Sequence, residues 1–174
     1  GDQFIYAKTS IENPSELYML SNGKESRLTD FNAVWLKDKQ LAKAVKHQFI
    51  NKLGQTIDYW VMKPIGFQEG KKFPLVLEIH GGPTAMWGTG EASMWHEFQY
   101  YAAKGYGIVY CNPRGSGGYG TPFMASNVKD WGAGPMADVM RVTDLAIKEG
   151  WADTTKLGVT GGSYAGYLVA WIVG

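Results

Sequence analysis

The sequence predicts an α/β protein in which helices cover both faces of a sheet that is mostly parallel. Two short apolar runs, 74–80 and 107–111, have the composition of strands that are buried on both faces. One helical pattern lies between these runs, and a second, over about 134–149, follows them. Because strands that alternate with helices form parallel sheets with right-handed crossovers, this order favours helices on both faces.

The first 34 residues differ from the rest and predict a short all-β segment. Strands at 3–8 and 15–20 are separated by a turn at Asn13-Pro14, and a second turn follows at Ser21-Asn22-Gly23. Two polar strands bury too little surface to be stable alone. We therefore interpret residues 1–34 as the end of a preceding β domain with its linker.

The segment from residue 35 to residue 174 carries the predicted α/β unit. The partly periodic stretch 31–45 indicates a linker with a short helix. Strands at 47–50 and 57–62 flank the turn Leu53-Gly54-Gln55 and predict a hairpin. This hairpin precedes the first buried strand.

Each of the two helices has an end signal. The first spans about 95–104 and ends at Gly105, while Gly134-Pro135 opens the second, which ends at Gly150. The inner face of the second helix is apolar and consists of Val139, Val142, Leu145 and Ala146.

The stretch 157–167 contains the strongest functional signal. A β-type run at 157–160 leads to Ser163 among small residues, and an apolar helical run follows. This pattern is typical of a nucleophile elbow, in which a sharp strand-to-helix turn exposes the Ser hydroxyl. Gly161 and Ala165 are small, as close passage of strand and helix requires, although the usual pattern has Gly at the second position. A glycine-rich loop without catalysis is the alternative.

A second signal is the segment His80-Gly81-Gly82-Pro83, which follows a buried strand. Glycines at such a place let backbone N–H groups approach a substrate oxygen. Together with the N–H of Tyr164, at the start of the helix after Ser163, this segment predicts an oxyanion hole. A tight turn alone would also explain the glycines.

The other two members of a catalytic triad are missing. A Ser nucleophile needs a base and an acid that orients the base, and in proteins with this elbow both follow the Ser in the chain. His47, His80 and His96 all precede Ser163, and no acidic residue follows it. The run 164–173 is also apolar nearly all round and requires a protein cover. We therefore expect a fragment that is inactive alone.

The composition excludes several classes of function. The chain has 45% hydrophobic residues, 19% charged residues and a formal net charge of +1. A net charge this small gives no electrostatic indication of binding to nucleic acid or to an anionic membrane. No apolar stretch of the sequence is long enough to span a bilayer. No metal-ligand spacing or phosphate-binding loop is present, so we expect no metal and no cofactor. The single Cys111 cannot form an internal disulfide, which is compatible with a cytoplasmic protein.

Four motifs occur in a fixed order, at 80–83, 112–120, 130–132 and 161–164. In order and spacing they resemble the prolyl oligopeptidase family of serine peptidases, most closely its acylaminoacyl-peptidase branch. The resemblance implies a β-propeller followed by an α/β-hydrolase domain. Residues 1–34 would be terminal propeller strands and linker, and residues 35–174 would be the N-terminal part of the catalytic domain.

The resemblance also implies roles for individual residues. Ser163 would be the nucleophile, and the backbone N–H groups of Gly82 and Tyr164 would bind the oxyanion. His80 stands where other branches carry a Tyr, which favours the acylaminoacyl branch. Ala165 and the segment 134–136 depart from the family pattern.

The implied activity is cleavage of short peptides or N-acylated peptides, and the propeller of the family would admit only small substrates to the active site. A complementary C-terminal chain would carry the Asp and the His. Two alternatives are a carboxylesterase or lipase, which uses the same elbow, and a non-catalytic fragment held by a complementary chain. The sequence does not decide whether the protein forms a homo-oligomer.

Overall fold

The computed structural model describes residues 3–174 and arranges their strands in two sheets. The first sheet is antiparallel, with the order β1-β2-β3. Its strands are β1 (Gln3–Ser10), β2 (Asn13–Ser21) and β3 (Lys24–Arg27). The two predicted strands are present, and β3 is an additional strand that pairs with β2. Residues 1 and 2 of the predicted 1–34 segment lie outside the described residues, and the assignment of this sheet to a propeller remains a prediction.

The second sheet has five strands in the order β4-β5-β7-β6-β8. They are β4 (Ala44–Ile50), β5 (Thr56–Met62), β6 (Phe73–Ile79), β7 (Gly107–Cys111) and β8 (Ala152–Gly161). Strand β6 pairs in parallel with β7 and β8, whereas β5 pairs in antiparallel fashion with β4 and with β7. The sheet is therefore mixed, and the predicted parallel arrangement applies to its last three strands.

Helices lie on both faces of this sheet, as predicted. The helix α2 (Trp95–Ala103) covers one face, and α4 (Ala133–Lys148) and α5 (Tyr164–Val173) cover the other. Alternation along β6 explains the division, because successive side chains of a strand point to opposite faces. Leu75, Leu77 and Ile79 pack with α4 and α5 in the larger core.

Three short helices complete the fold. They are α1 (Ala33–Leu36), α3 (Thr121–Met124) and a single 3-10 turn (Ala125–Asn127). The predicted linker helix corresponds to α1, and the proposed boundary after residue 34 falls inside it. Neither α3 nor the 3-10 turn was expected, since the stretch 115–127 is rich in glycine and small residues.

A buried carboxylate connects the first sheet to the segment that follows it. Glu16 on β2 is 2% exposed and accepts hydrogen bonds from the backbone N–H groups of Phe31 and Asn32 and from the side chains of Thr29 and Arg27. Burial raises the pKa of this carboxyl group, but the hydrogen bonds and the Arg27 charge outweigh burial and lower the pKa to about 2. The ionised carboxylate thus holds the segment between β3 and α1 in place.

The first sheet contacts helix α2 through the turn between β1 and β2. The side chains of Trp95 and Gln99 on α2 both donate hydrogen bonds to the carbonyl oxygen of Ile11, each at 3.0 Å. Gly90 also approaches this turn so closely that a Cβ atom there would lie 2.3 Å from the Thr9 carbonyl oxygen.

The α5 helix is covered on one side only. Ala165 and Leu168 are completely buried against the sheet, whereas Tyr167, Trp171 and Val173 are 43%, 49% and 72% exposed. The strand β8 that leads to this helix is at the edge of the sheet. Within residues 3–174, the helix that begins directly after Ser163 therefore has an uncovered apolar face.

Candidate active site

The turn between β8 and α5 has the geometry of a nucleophile elbow. Strand β8 ends at Gly161, helix α5 begins at Tyr164, and Ser163 between them is exposed with φ 59° and ψ −124°. A residue other than Gly with positive φ is strained, and such strain is concentrated at functional sites. The structure thus presents the Ser163 hydroxyl at the tip of a sharp turn.

The close passage of strand and helix depends on Gly161. A Cβ atom at this position would lie 2.8 Å from the Ile79 carbonyl oxygen and 2.5 Å from the Ala165 Cβ atom. Gly161 therefore has to lack a side chain. The methyl group of Ala165, which departs from the usual elbow pattern, occupies the space that Gly161 leaves open.

The loop after β6 lies directly against the elbow. A Cβ atom on Gly81 would be 3.3 Å from the Cβ atom and 3.9 Å from the Oγ atom of Ser163. Gly82 has φ +120°, and a side chain there would collide with the backbone nitrogen of Thr84 at 2.5 Å. The structure therefore brings together the two segments that the sequence selected independently.

Within the described part of the chain, the backbone N–H groups of both predicted oxyanion donors, Gly82 and Tyr164, have no hydrogen-bond partner. Tyr164 is the first residue of α5, and the first N–H groups of a helix have no partner within the helix. Among residues 3–174, the backbone hydrogen bonds of turns, loops and caps include none donated by Gly82 or Tyr164. The Tyr164 hydroxyl donates to the Trp131 carbonyl oxygen at 2.8 Å, which fixes the start of the helix.

His80 is buried beside this loop, and other groups occupy both of its ring nitrogens. Nδ1 lies 2.7 Å from the Gly81 carbonyl oxygen, and Nε2 lies 2.9 Å from Ser116 Oγ. Ser116 Oγ also lies 2.6 Å from the Pro113 carbonyl oxygen. Because the Gly81 oxygen can only accept, the single N–H of a neutral ring lies on Nδ1, and Nε2 accepts from Ser116 Oγ. Burial lowers the pKa of His80, so that the neutral ring is favoured. These contacts orient the Gly81-Gly82 segment rather than serve Ser163.

The other two histidines make aromatic contacts with tyrosines. His47 stacks on Tyr59 at 5.1 Å between ring centroids, and His96 stacks on Tyr100 at 6.3 Å. No His in the described part of the chain makes a hydrogen bond to Ser163. Within the described residues, the elbow and the Gly81-Gly82 loop therefore lie together without a histidine base.

The motif at 112–120 has a structural role that sequence reasoning missed. Asn112 exchanges hydrogen bonds with the backbone of Trp87, at 2.9 Å and 2.8 Å, and donates to the Tyr119 hydroxyl at 2.9 Å. The Tyr119 hydroxyl donates to Asp58 at 2.9 Å. This chain of contacts joins the loop after β7 to the loop after β6, and so to the oxyanion side.

Arg114 and Asp138 form a buried ion pair. Three hydrogen bonds run from the Arg114 backbone N–H, Nε and Nη2 to the Asp138 carboxylate, at 3.0, 2.9 and 2.8 Å. The hydrogen bond to Asp138 is the main cause that raises the pKa of Arg114. The pair anchors the loop after β7 to α4.

A cavity of about 370 Å³ adjoins the elbow on the α2 face of the sheet. Its lining includes Glu78 of β6, Glu97 of α2 and the elbow residues Thr160, Gly161 and Gly162. Sequence reasoning did not select Glu78. The available signal was that it is the only charged residue in the apolar run 74–80.

No group of three or more metal-binding side chains occurs within residues 3–174. In the same residues, no helix has the length and apolar character needed to cross a bilayer.

Comparison with known proteins gives consistent results. Residues 92–174 match the prolyl oligopeptidase family. An uncharacterized peptidase of Bacillus subtilis, YuxL, is 41% identical over 173 residues, and dipeptidyl-peptidase 5 of Schizosaccharomyces pombe is 31% identical over 170 residues. These alignments cover 98% and 97% of this chain but only 26% and 23% of the two relatives.

Solved structures support the same relationship. The acylaminoacyl peptidase of Pyrococcus horikoshii superposes on this chain with a TM-score of 0.86 and 34% sequence identity. The superposition covers 98% of this chain and 27% of that protein, so the chain spans about a quarter of the length of its relatives. On the strength of the family match, the sequence identities and the shared fold, this chain belongs to the prolyl oligopeptidase family of peptidases.

Proposed function

We propose that the complete protein is a serine peptidase that cleaves short peptides or N-acylated peptides through an acyl-enzyme on Ser163. The observation that supports this proposal most strongly is the strained Ser163, with φ 59°, packed against the Gly81 backbone at the junction of β8 and α5. The hydroxyl is held at the tip of a strand-to-helix turn, beside backbone N–H groups that have no partner among residues 3–174. Such an arrangement suits acyl transfer.

In the proposed reaction, Ser163 Oγ forms a bond to the scissile carbonyl carbon and gives its proton to a His base. The negative charge that develops on the carbonyl oxygen is stabilised by the N–H groups of Gly82 and Tyr164. The protonated His then transfers its proton to the leaving amine as the C–N bond breaks. Water hydrolyses the resulting ester by the same steps in reverse order.

We further propose that a complementary C-terminal polypeptide supplies this His and the Asp that orients it. Within residues 3–174, the hydrogen bonds of His80 go to Gly81 and Ser116, and His47 and His96 stack on tyrosines. The 174-residue chain alone should therefore not react at Ser163. A fluorophosphonate probe tests this, with the Ser163→Ala variant as control, and stoichiometric labelling of the isolated chain would refute it.

The substrate class is tested in the complete protein. An acetylated amino-acid anilide and a plain acyl ester differ in the bond that is cleaved but would use the same nucleophile. We expect turnover of both, and its loss in Ser163→Ala. Negligible turnover of the anilide with rapid turnover of the ester would replace the peptidase proposal with a carboxylesterase or lipase.

Two further proposals concern the setting of this domain. We propose that residues 1–34 are the last strands of a β-propeller and its linker, a reading consistent with the separate antiparallel sheet β1-β2-β3. We also propose a cytoplasmic location, on the basis that the single Cys111 is a buried free thiol. Limited proteolysis and fractionation test these two points.

A further inference from the structure

The carboxyl group of Glu78 has no stabilising partner in the described part of the chain. Its side chain is 1% exposed, and the Oε1 atom makes no hydrogen bond. The charged group that acts on it is the carboxylate of Glu97, which also raises its pKa. Burial and this repulsion raise the pKa of Glu78 to about 8. In this chain, the neutral form of the carboxyl group is therefore favoured near pH 7.

A buried carboxyl group of this kind is unusual because an unsatisfied buried polar atom is costly. Natural proteins pair nearly all such atoms, and buried acids are normally matched by a cation or by several donors. Glu97 brings a second carboxyl group to the lining of the same cavity. A cationic side chain that entered the cavity would favour the ionised form of Glu78 and supply the hydrogen bond that its Oε1 atom lacks.

We propose that a Lys or Arg side chain from the polypeptide outside this chain enters the cavity between α2 and β8 and pairs with Glu78. This inference rests on the part of the proposed function that supplies a complementary polypeptide. It does not depend on Ser163 being the nucleophile.

The shape of the site agrees with an occupant that comes from outside the chain. On the α2 face, strand β8 presents only Gly158 and Thr160 beside Glu78, and β8 is the edge strand, so this side of the sheet is open. The chain corresponds to only 26–27% of relatives that match it almost from end to end. The remainder of such a protein is large enough to supply a covering segment.

The position of the site links the incoming segment to the elbow. Gly161 and Gly162 line the cavity and immediately precede Ser163, while Gly81 lines it from the oxyanion side. A side chain that pairs with Glu78 would hold its own segment next to these residues. The pairing would therefore act as a positioning contact for the polypeptide that carries the base.

The test compares the effect of one substitution on the thermal midpoint of the 174-residue chain and of the complete protein, and this effect should have opposite signs in the two. In the 174-residue chain, Glu78→Met removes an unpaired buried acid and should raise the thermal midpoint by about 2–10 °C. In the complete protein, the same substitution leaves the incoming cation buried and unpaired, and should lower the midpoint by about 2 °C or more. Glu78→Gln, which keeps the shape, should also lower it in the complete protein. The exposed Glu69→Gln is the matched control and should change neither midpoint.

The outcomes separate this inference from the proposed function. If Glu78→Met stabilises both forms, or if the chain occurs in its source with no complementary polypeptide, no cation pairs with Glu78 and the inference is wrong. Fluorophosphonate labelling of Ser163 in the complete Glu69→Gln control reports the proposed function separately. If Ser163 is labelled but Glu78→Met does not change the two midpoints in opposite directions, only the pairing with Glu78 is rejected. If the midpoints change in opposite directions but Ser163 is not labelled, only the assignment of Ser163 as the nucleophile is rejected.

Discussion

The Asp138→Asn substitution removes the negative charge that faces Arg114 between α4 and the loop after β7. Asp138 is 1% exposed and Arg114 is 7% exposed, so solvent cannot replace the lost charge. The carboxylate accepts three hydrogen bonds from Arg114, and an amide can replace only part of that arrangement. Loss of one partner from a buried ion pair costs about 3–5 kcal/mol because the other charge remains desolvated. For a chain of this size, that corresponds to a fall in the thermal midpoint of about 6–20 °C.

The free energy of unfolding should be measured by urea titration of the 174-residue chain. Asp144→Asn is the matched control, since Asp144 lies on the same helix and is exposed, and its effect should stay within about 0.5 kcal/mol. A double variant, Arg114→Met with Asp138→Leu, should recover much of the loss because no unpaired charge remains. A loss below about 1 kcal/mol for Asp138→Asn, or a double variant as unstable as the sum of its parts, would show that the pair is not electrostatically isolated from water.

Three further predictions follow from contacts described above. Gly161→Ala should lower stability by about 1–3 kcal/mol because its methyl group would meet the Ile79 carbonyl oxygen at 2.8 Å, whereas Gly162→Ala, with nothing within 4 Å, should be neutral in the same thermal melt. Glu16 has a folded-state pKa of about 2, below the ordinary value of about 4.3, so its contribution is present above pH ~4.3 and is lost as the pH falls towards 2. Acid titration should show this loss, and Glu16→Gln should lack it. Glu78 has a folded-state pKa of about 8, above the ordinary value, so in this chain its effect on stability is most favourable below pH ~4.3 and declines as the pH rises to 8. Glu78→Gln should abolish that decline, and a melt series that is flat between pH 5 and 8 in the parent chain would contradict the assignment.

The strands that are buried on both faces could be predicted from the sequence alone. The apolar run 74–80 corresponds to β6 (Phe73–Ile79), and the run 107–111 coincides with β7. Burial on both faces selects apolar residues at every position, which leaves a continuous signal in the sequence. The helix α4 was also located within one or two residues, because its inner face and its Gly-Pro start are both visible.

Strands that depend on pairing with a neighbour could not be predicted in full. Strand β8 begins at Ala152, five residues before the predicted start, because its polar first half is an exposed edge. Strand β3 consists of the polar residues 24–27 and exists through its pairing with β2. Neither segment has the alternation that reveals a half-buried strand, so the deciding information lies in the partner strand.

The candidate site was predictable as two motifs but not as a network. Local sequence around Ser163 and around Gly81 indicated an elbow and a turn, and the structure places the two in contact. The hydrogen bonds through Asn112 and Tyr119 join residues that are far apart in the chain, and no local sequence pattern predicts them. The isolated acid Glu78 carried a signal, a single charge within an apolar strand, that becomes meaningful only once its surroundings are known.

The conformation of Ser163 lowers the stability of the fold while it exposes the hydroxyl group for reaction. Positive φ costs a residue with a side chain about 1–3 kcal/mol, and glycine would adopt this conformation freely. Selection for thermal robustness alone would therefore favour glycine at position 163. Any lineage that retains Ser there keeps a less stable fold for the sake of its hydroxyl group, and laboratory evolution towards heat resistance without selection for activity should lose Ser163 early.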